Sequence, residues 1–196
     1  DTMEVLANVI NPAPKLTQIA NKIGGFITWG GGVDLAAADD HMIRVRHPLS
    51  LDPQGMLLAS IMAKKKSVGA NHVLIDIPIG ETVKMKNKKD AEVLKQRFLK
   101  IAKLLGMKAR VIITDGSQPI GRGIGPVLEA VDVINVLKNT KDAPQASKNK
   151  AVFMAGILLE LTGKARQGWG EKVALEILES GQAWKKMQQI IKAQGP

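Results

Sequence analysis

Two apolar segments on either side of one helical pattern constrain the fold of this chain more than any other feature. Residues 71–80 form a nearly continuous apolar run, which is typical of a strand buried on both faces of a sheet. A basic stretch over residues 84–89 leads into a predicted helix over residues 90–105, and residues 109–114 form a second apolar strand. This order predicts a βαβ unit, and therefore a parallel sheet with a right-handed crossover.

Most of the remaining sequence predicts helices. Apolar residues at spacings of three and four predict a helix over residues 13–23, and Asp52 followed by Pro53 is typical of a helix start. We predict short strands over residues 26–29 and 41–45. Further predicted helices cover residues 127–138, 151–161, 171–179 and 182–193, and a polar connector covers residues 138–150. The predicted fold class is α/β, with a mainly parallel sheet flanked by helices and a helical C-terminal tail.

Composition limits the classes of function. Because the 196 residues include no cysteine, disulfide frameworks and thiolate metal sites are excluded, and a reducing cytoplasm is the expected compartment. No apolar run approaches the ~20 residues that span a bilayer, so we expect no membrane partner. The three histidines, His41, His47 and His72, lack the spacing of metal ligands, so we expect no metal.

The charge balance favours an anionic partner. The chain has 28 Lys and Arg against 18 Asp and Glu, which suits phosphate-bearing metabolites, nucleic acid or an anionic surface. Aromatic residues make up only 3 % of the chain and tyrosine is absent, so few side chains could stack on bases. We therefore expect much of the excess charge to be solvated helix surface. Among anionic partners we expect a small phosphorylated ligand and no nucleic acid.

Three loops at the ends of predicted strands or helices carry candidate binding residues. In the first, Asp52 either only caps a helix or also exchanges a proton with a leaving base, and Ser60 and Lys64 follow on its general helix face. In the second, Lys84 is either a point charge for an anion or part of a solvated charge run. The third, residues 121–126, fits neither the dinucleotide fingerprint nor the P-loop, so close backbone packing better explains its glycines.

Several segments together carry a resemblance to a known family. They include Arg46-His47-Pro48-Leu49-Ser50-Leu51-Asp52-Pro53, Ala59-Ser60-Ile61-Met62-Ala63-Lys64-Lys65, Val73-Leu74-Ile75-Asp76-Ile77-Pro78, Gln118-Pro119-Ile120-Gly121 and Gly125-Pro126-Val127-Leu128-Glu129-Ala130. In this order they resemble the thymidine phosphorylase family, and specifically its archaeal AMP phosphorylase branch. The match runs from the first residue to the last, which is more specific than any single motif.

The resemblance implies a phosphorolytic enzyme, a transferase of pentosyl groups. In the AMP phosphorylase branch, inorganic phosphate cleaves AMP, and less strictly CMP and UMP, into free base and ribose 1,5-bisphosphate, with no other cofactor. Matching the motif of the branch places the proton donor to the leaving base at Asp52. Ser60 and Lys84 fall on nucleotide-binding positions, and Lys64 matches a lysine that contacts the base in the pyrimidine nucleoside branch.

The resemblance also implies a domain organisation. Residues 1–48 and 70–196 would belong to an α/β domain, and residues 49–69 would be a helical excursion into a small α domain. Pro48 and residues 68–70 are the candidate hinges. The phosphate-gripping loop of the family lies upstream of the segment that matches Asp1, and a C-terminal domain follows the segment that matches Pro196, so we expect a central fragment with little activity alone. Because family members dimerise through the helical domain, the resemblance implies that the full-length protein forms a homodimer or a larger homo-oligomer.

Two alternatives stay open at this point. The first is a pyrimidine nucleoside phosphorylase, in which Arg44 or Arg46 could contact the base only if the alignment were shifted. The second, from a different class, is a basic RNA-binding module without catalysis, which the excess of 10 positive charges supports and the low aromatic content does not.

Overall fold

A computed structural model describes residues 1–32, 41–42, 44–45, 48 and 54–195 of the chain. Its named helices and strands are α1 (Ala13–Ile23), α2 (Gln54–Ser67), β1 (His72–Ile79), α3 (Lys88–Leu104), β2 (Lys108–Asp115), α4 (Pro126–Leu137), α5 (Gln145–Leu161), α6 (Gly170–Glu179) and α7 (Gln182–Gln194). Short 3₁₀ turns cover Thr2–Val5 and Gly30–Gly32. The α/β class, the parallel sheet and the helical C-terminal segment are thereby confirmed.

The chain divides into two compact units. The sheet unit contains the described residues of 34–119 together with 161–164, and the helical unit contains those of 1–33, 120–160 and 165–196. The predicted division into residues 1–48, 49–69 and 70–196 stays a prediction.

The sheet unit contains the predicted βαβ unit. Strands β1 and β2 pair in parallel, with His72 opposite Lys108 at one end and Ile79 opposite Asp115 at the other. Helix α3 connects them, and it begins where the side chain of Asn87 accepts a hydrogen bond of 2.9 Å from the backbone N–H of Asp90. This bond satisfies one of the backbone donors that a helix start leaves without an internal partner.

Burial along β1 alternates, so the prediction of equal burial on both faces was only partly right. Val73, Ile75 and Ile77 are buried, whereas the residues between them are half-buried. The buried face packs against Leu94 and Phe98 of α3, which are four residues apart and lie on one side of that helix. Leu58 and Met62 of α2 belong to the same core. One strand face, one side of α3 and one side of α2 therefore form the core of the sheet unit.

The helical unit contains α1 and α4 to α7, and its C-terminal helix holds the segments on either side of α1. Gln194 is only 1 % exposed. Its Oε1 accepts a hydrogen bond of 2.8 Å from the N–H of Ile27, and its Nε2 donates to the carbonyl oxygens of Asn8 and Ile27. Both polar atoms of this buried side chain are therefore hydrogen-bonded. These bonds offset the free-energy cost of removing an amide from water.

Two predicted strands are wrong. Residues 26–29 form no strand, because Trp29 N–H donates to the carbonyl oxygen of Val9 and Ile27 N–H donates to the Gln194 side chain. In the predicted strand over residues 41–45, the described residues His41, Met42, Arg44 and Val45 are helical. Both segments are too short for apolar alternation to separate a strand from other conformations.

The boundaries of the other elements differ less from the predictions. Helix α5 begins at Gln145, so the predicted connector over residues 138–150 is too long. The carbonyl oxygen of Pro144 accepts a bond from Lys148 N–H, so the proline stands directly before the first turn, where its missing N–H costs nothing. The helix predicted to begin at Asp52 is confirmed from Gln54 onward, and its predicted start lies outside the described residues.

Candidate active site

The candidate site lies in the sheet unit, at the carboxyl ends of β1 and β2, where open α/β sheets bind ligands. Each strand is followed directly by a glycine, Gly80 or Gly116. A Cβ atom at Gly80 would lie 2.7 Å from the carbonyl oxygen of Gly116, and a Cβ atom at Gly116 would lie 2.8 Å from Cβ of Pro78. Both positions therefore require glycine. A glycine directly after each apolar strand was the sequence signal that could have predicted this close approach.

The loop between β1 and α3 folds back on the end of β1. The N–H of Gly80 donates a bond of 3.0 Å to the carbonyl oxygen of Met85, and Ile79 and Met85 form a β-bridge. The ammonium group of Lys86 donates to the carbonyl oxygen of Glu81, which closes the tip of the loop. These contacts bring Lys84, the residue before Met85, to the carboxyl end of the sheet.

A cavity of about 390 Å³ opens between α2, β1, the following loop and α3. Its lining residues are Leu57, Ile61, Ile75, Asp76, Ile77, Pro78, Thr82, Val83, Lys84, Met85, Leu94 and Phe98. Among these, Asp76 and Lys84 carry the charges, and the rest of the wall is almost wholly apolar. An apolar cavity with a few convergent polar groups is the usual form of a small-molecule site.

The other two candidate residues in the described part of the chain, Ser60 and Lys64, lie on α2. They are half-buried and four residues apart, so they share one face of the helix. Leu57, three residues before Ser60, and Ile61, three residues before Lys64, are their helix neighbours, and both line the cavity. The helix therefore places Ser60 and Lys64 beside the wall that Lys84 shares. Asp52 lies outside the described residues.

Asp76 is a residue of the cavity wall that the sequence reasoning missed. Its Oδ1 accepts a hydrogen bond of 2.7 Å from the hydroxyl group of Thr114 on β2. Thr114 stands opposite Pro78, so this bond runs diagonally across the two strands. A single carboxylate inside the apolar run of β1 was the available signal, because a charge is rarely placed in such a strand without a partner.

The glycine-rich loop over residues 121–125 belongs to the helical unit. Oδ2 of Asp132 accepts hydrogen bonds from the backbone N–H groups of Arg122 (2.7 Å) and Gly123 (2.8 Å). The N–H of Gly125 donates to Oε1 of Glu129 at 3.2 Å. These amides are engaged by carboxylates of the protein itself, which supports close packing as the reason for the glycines and disfavours a phosphate loop.

The turn after β2 holds Asp115 in its ionised form. Hydrogen bonds from the backbone N–H and the side chain of Ser117 lower the pKa of this exposed carboxyl group.

Within the described residues, no group of three or more His, Cys, Asp or Glu side chains could hold a metal ion. No described helix is both long and apolar enough to cross a membrane.

Known proteins align with the whole chain. No protein-family model matches it. Over 195 residues it is 47 % identical to the "AMP phosphorylase" of Methanococcus aeolicus, 48 % identical to that of Methanococcus maripaludis and 46 % identical to the "Putative thymidine phosphorylase 1" of Acidovorax sp.. The match covers 100 % of this chain but only 39 %, 39 % and 38 % of these relatives. Along its whole length the chain is similar to these phosphorylases, and it spans about two fifths of their length.

Proposed function

We propose that the chain is the base-recognising part of a phosphorylase that acts on nucleoside 5′-monophosphates. In the proposed reaction, an oxygen of inorganic phosphate attacks the anomeric carbon of AMP and the glycosidic bond to the base breaks. The products are free base and ribose 1,5-bisphosphate, and CMP and UMP are poorer substrates. Inorganic phosphate is the co-substrate, and no other cofactor takes part.

The proposed roles of the side chains follow from the charges that develop. The ribosyl carbon becomes cationic while the leaving base gathers negative charge, so a proton delivered to the base lowers the barrier. Asp52 is the proposed donor, and general acid catalysis of this kind is typically worth a factor of about 10²–10⁴ in rate. Ser60 and Lys64 would bind on the side of the base, and Lys84 would neutralise an anionic group of the nucleotide.

The observation that carries the proposal is the cavity of the sheet unit. It lies in a chain that is 46–48 % identical to the phosphorylases named above. Lys84 is on its wall, and α2 supplies Leu57 and Ile61 to that wall. Ser60 and Lys64 are helix neighbours of these two residues. The apolar lining suits a flat heterocycle, and the single ammonium group on it suits an anion. An apolar wall with the Lys84 ammonium group, beside the Asp76 carboxylate that accepts a bond from Thr114, supports a ligand with both a ring and an anionic group.

A chimera tests the proposal. These 196 residues would replace the matching segment of the Methanococcus aeolicus AMP phosphorylase, because the chain spans only part of its relatives. We expect the chimera to release adenine from AMP only when phosphate is present, with ribose 1,5-bisphosphate as the second product. A chimera that unfolds cooperatively near the melting temperature of its parent, yet cleaves no nucleotide, would show that the proposal is wrong.

A pyrimidine nucleoside phosphorylase is the second candidate, since proteins named as putative thymidine phosphorylases are 45–47 % identical to the chain. The two candidates differ in the charge of their substrates. Initial rates of the chimera with AMP and with thymidine, at equal concentrations and saturating phosphate, separate them. We expect AMP to react faster, and a preference for thymidine would favour the second candidate.

A further inference from the structure

Three lysines next to the cavity have no role in the reaction proposed above. Lys86 lies in the loop that lines the cavity, and Lys88 and Lys89 form the first two positions of α3. All three side chains are exposed. With Lys84 they place four ammonium groups within six residues, and we call Lys86, Lys88 and Lys89 the outer lysines.

Two of the outer lysines, Lys88 and Lys89, are unfavourable for the stability of the start of α3. The amino end of a helix carries a partial positive charge, which disfavours cations in the first turn. Lys88 and Lys89 occupy that turn, with Asp90 as its one acidic residue. Like charges this close in sequence also repel each other. Local stability therefore does not explain why lysine stands at these positions.

The sheet unit as a whole is positively charged, like the outer lysines. Residues 34–119 and 161–164 include 16 Lys and Arg but only 9 Asp and Glu, an excess of seven cations in a chain whose total excess is 10. A surface with such an excess raises the local concentration of anions and can speed their association by about 10–10³-fold. The positive potential is thus concentrated in the unit that contains the cavity.

We propose that the outer lysines draw doubly charged nucleotides to the cavity and so favour 5′-monophosphates over uncharged nucleosides. This inference rests on the proposed function and adds specificity-determining residues to it. The lysines need not touch the substrate, because the attraction between exposed charges reaches about 10 Å at 0.1 M salt and about 30 Å at 0.01 M salt. The preference for AMP over adenosine should therefore weaken as salt is added.

The test compares two triple variants of the chimera that remove equal charge. Lys86→Gln/Lys88→Gln/Lys89→Gln removes the outer lysines. The control Lys100→Gln/Lys103→Gln/Lys108→Gln removes three exposed lysines from the opposite end of the unit. Fifteen residues of α3 separate Lys88 from Lys103, or about 22 Å at 1.5 Å per residue. Each variant is assayed with AMP and adenosine at fixed saturating phosphate while NaCl is varied.

We expect loss of the outer lysines to lower kcat/KM for AMP by roughly 10-fold at the lowest salt and by less than about 2-fold near 1 M salt. The value of kcat and any activity on adenosine should stay within about 2-fold, and the control should lose clearly less. The 196-residue chain with only Lys88→Gln and Lys89→Gln should melt at an equal or higher temperature, since its helix start loses two unfavourable charges.

Three results would overturn the inference: no loss of kcat/KM at low salt, a loss that salt does not relieve, or an equal loss in the control. A lower melting temperature together with a lower kcat would instead assign the lysines a structural role. Failure of the proposed function has a different signature. The unsubstituted chimera would then release no base from AMP at any salt concentration.

Discussion

The hydroxyl group of Thr114 donates a 2.7 Å hydrogen bond to Oδ1 of Asp76 and so connects the two strands next to the cavity. Asp76 is half-buried, and its carboxylate has left part of its hydration shell. A bond to a charged group in such surroundings is stronger than one between neutral partners. The pair therefore stabilises the sheet at the end where the loops of the candidate site begin.

Thr114→Val tests this contact, because valine keeps the shape of threonine and removes the hydroxyl group. We expect the free energy of unfolding to fall by about 1–2 kcal/mol in urea denaturation. Thr17→Val is the matched control, since the Thr17 hydroxyl group bonds only the carbonyl oxygen of Ala13 within an exposed helix turn. Its effect should stay within about 0.5 kcal/mol. Equal effects of the two substitutions would contradict the proposed importance of the Asp76 contact.

Gly80→Ala tests the close approach of the two loops. The added methyl group would meet backbone atoms of Gly116 and Ser117 at 2.7–2.9 Å, which cannot move aside as a flexible side chain can. We expect a loss of about 1–3 kcal/mol in the free energy of unfolding. Gly55→Ala, in α2 with nothing within 4 Å of the new methyl group, should instead gain about 0.5–1 kcal/mol. A neutral Gly80→Ala would show that the loops can separate.

Asp132→Ala tests how the glycine-rich loop is held. The variant removes the acceptor of both the Arg122 and Gly123 N–H groups. We expect amide hydrogen exchange at these two residues to accelerate at least about 10-fold, since a charge-assisted bond is worth about 1.5–3 kcal/mol. The exposed Asp142→Ala serves as control and should leave both rates unchanged. Unchanged exchange in Asp132→Ala would mean that packing alone holds the loop.

The pKa of Asp115 lies below its ordinary value, chiefly through the backbone N–H of Ser117 and then through its side chain. Because the folded-state pKa is depressed, this contribution to stability is present above the ordinary pKa of aspartate, about 3.9. It is lost as the pH falls from there through the folded-state pKa. Ser117→Ala should raise the Asp115 pKa only part of the way in an NMR titration, because the backbone bond remains. A full return to the ordinary value would contradict the order of these two causes.

Strong local patterns in the sequence were sufficient to predict the βαβ unit. The helical period of α3 agrees with the burial that the structure shows, whereas the apolar run of β1 predicted the strand but not its alternating burial. Residues 26–29 could not be predicted in the same way, because their hydrogen-bond partners are Val9 and Gln194, which lie far away in sequence. A segment stabilised by such partners carries no periodic signal of its own.

In the candidate site too, features that follow from local sequence patterns were predicted and features that depend on tertiary contacts were missed. Lys84 was a candidate because it follows a buried strand, with a solvated charge run as the alternative. It lies on the cavity wall, and its binding role stays a prediction. Asp76 was missed because its contact with Thr114 depends on the register of two strands. The role of the glycine-rich loop depends on Asp132, ten residues beyond Arg122. Both contacts join residues that only the folded chain brings together, so local sequence patterns could not predict them.

The central claim is that Asp52 donates a proton to the base during phosphorolysis of AMP, and Asp52→Asn in the chimera tests it most directly. Asparagine keeps the size and polarity of the side chain but has no acidic proton. Adenine release with phosphate is measured at saturating AMP, with a matched Asp142→Asn variant as control. We predict that kcat falls by about 10²–10⁴-fold in Asp52→Asn and stays unchanged in the control. Undiminished phosphorolysis of AMP by a folded Asp52→Asn chimera would contradict the account.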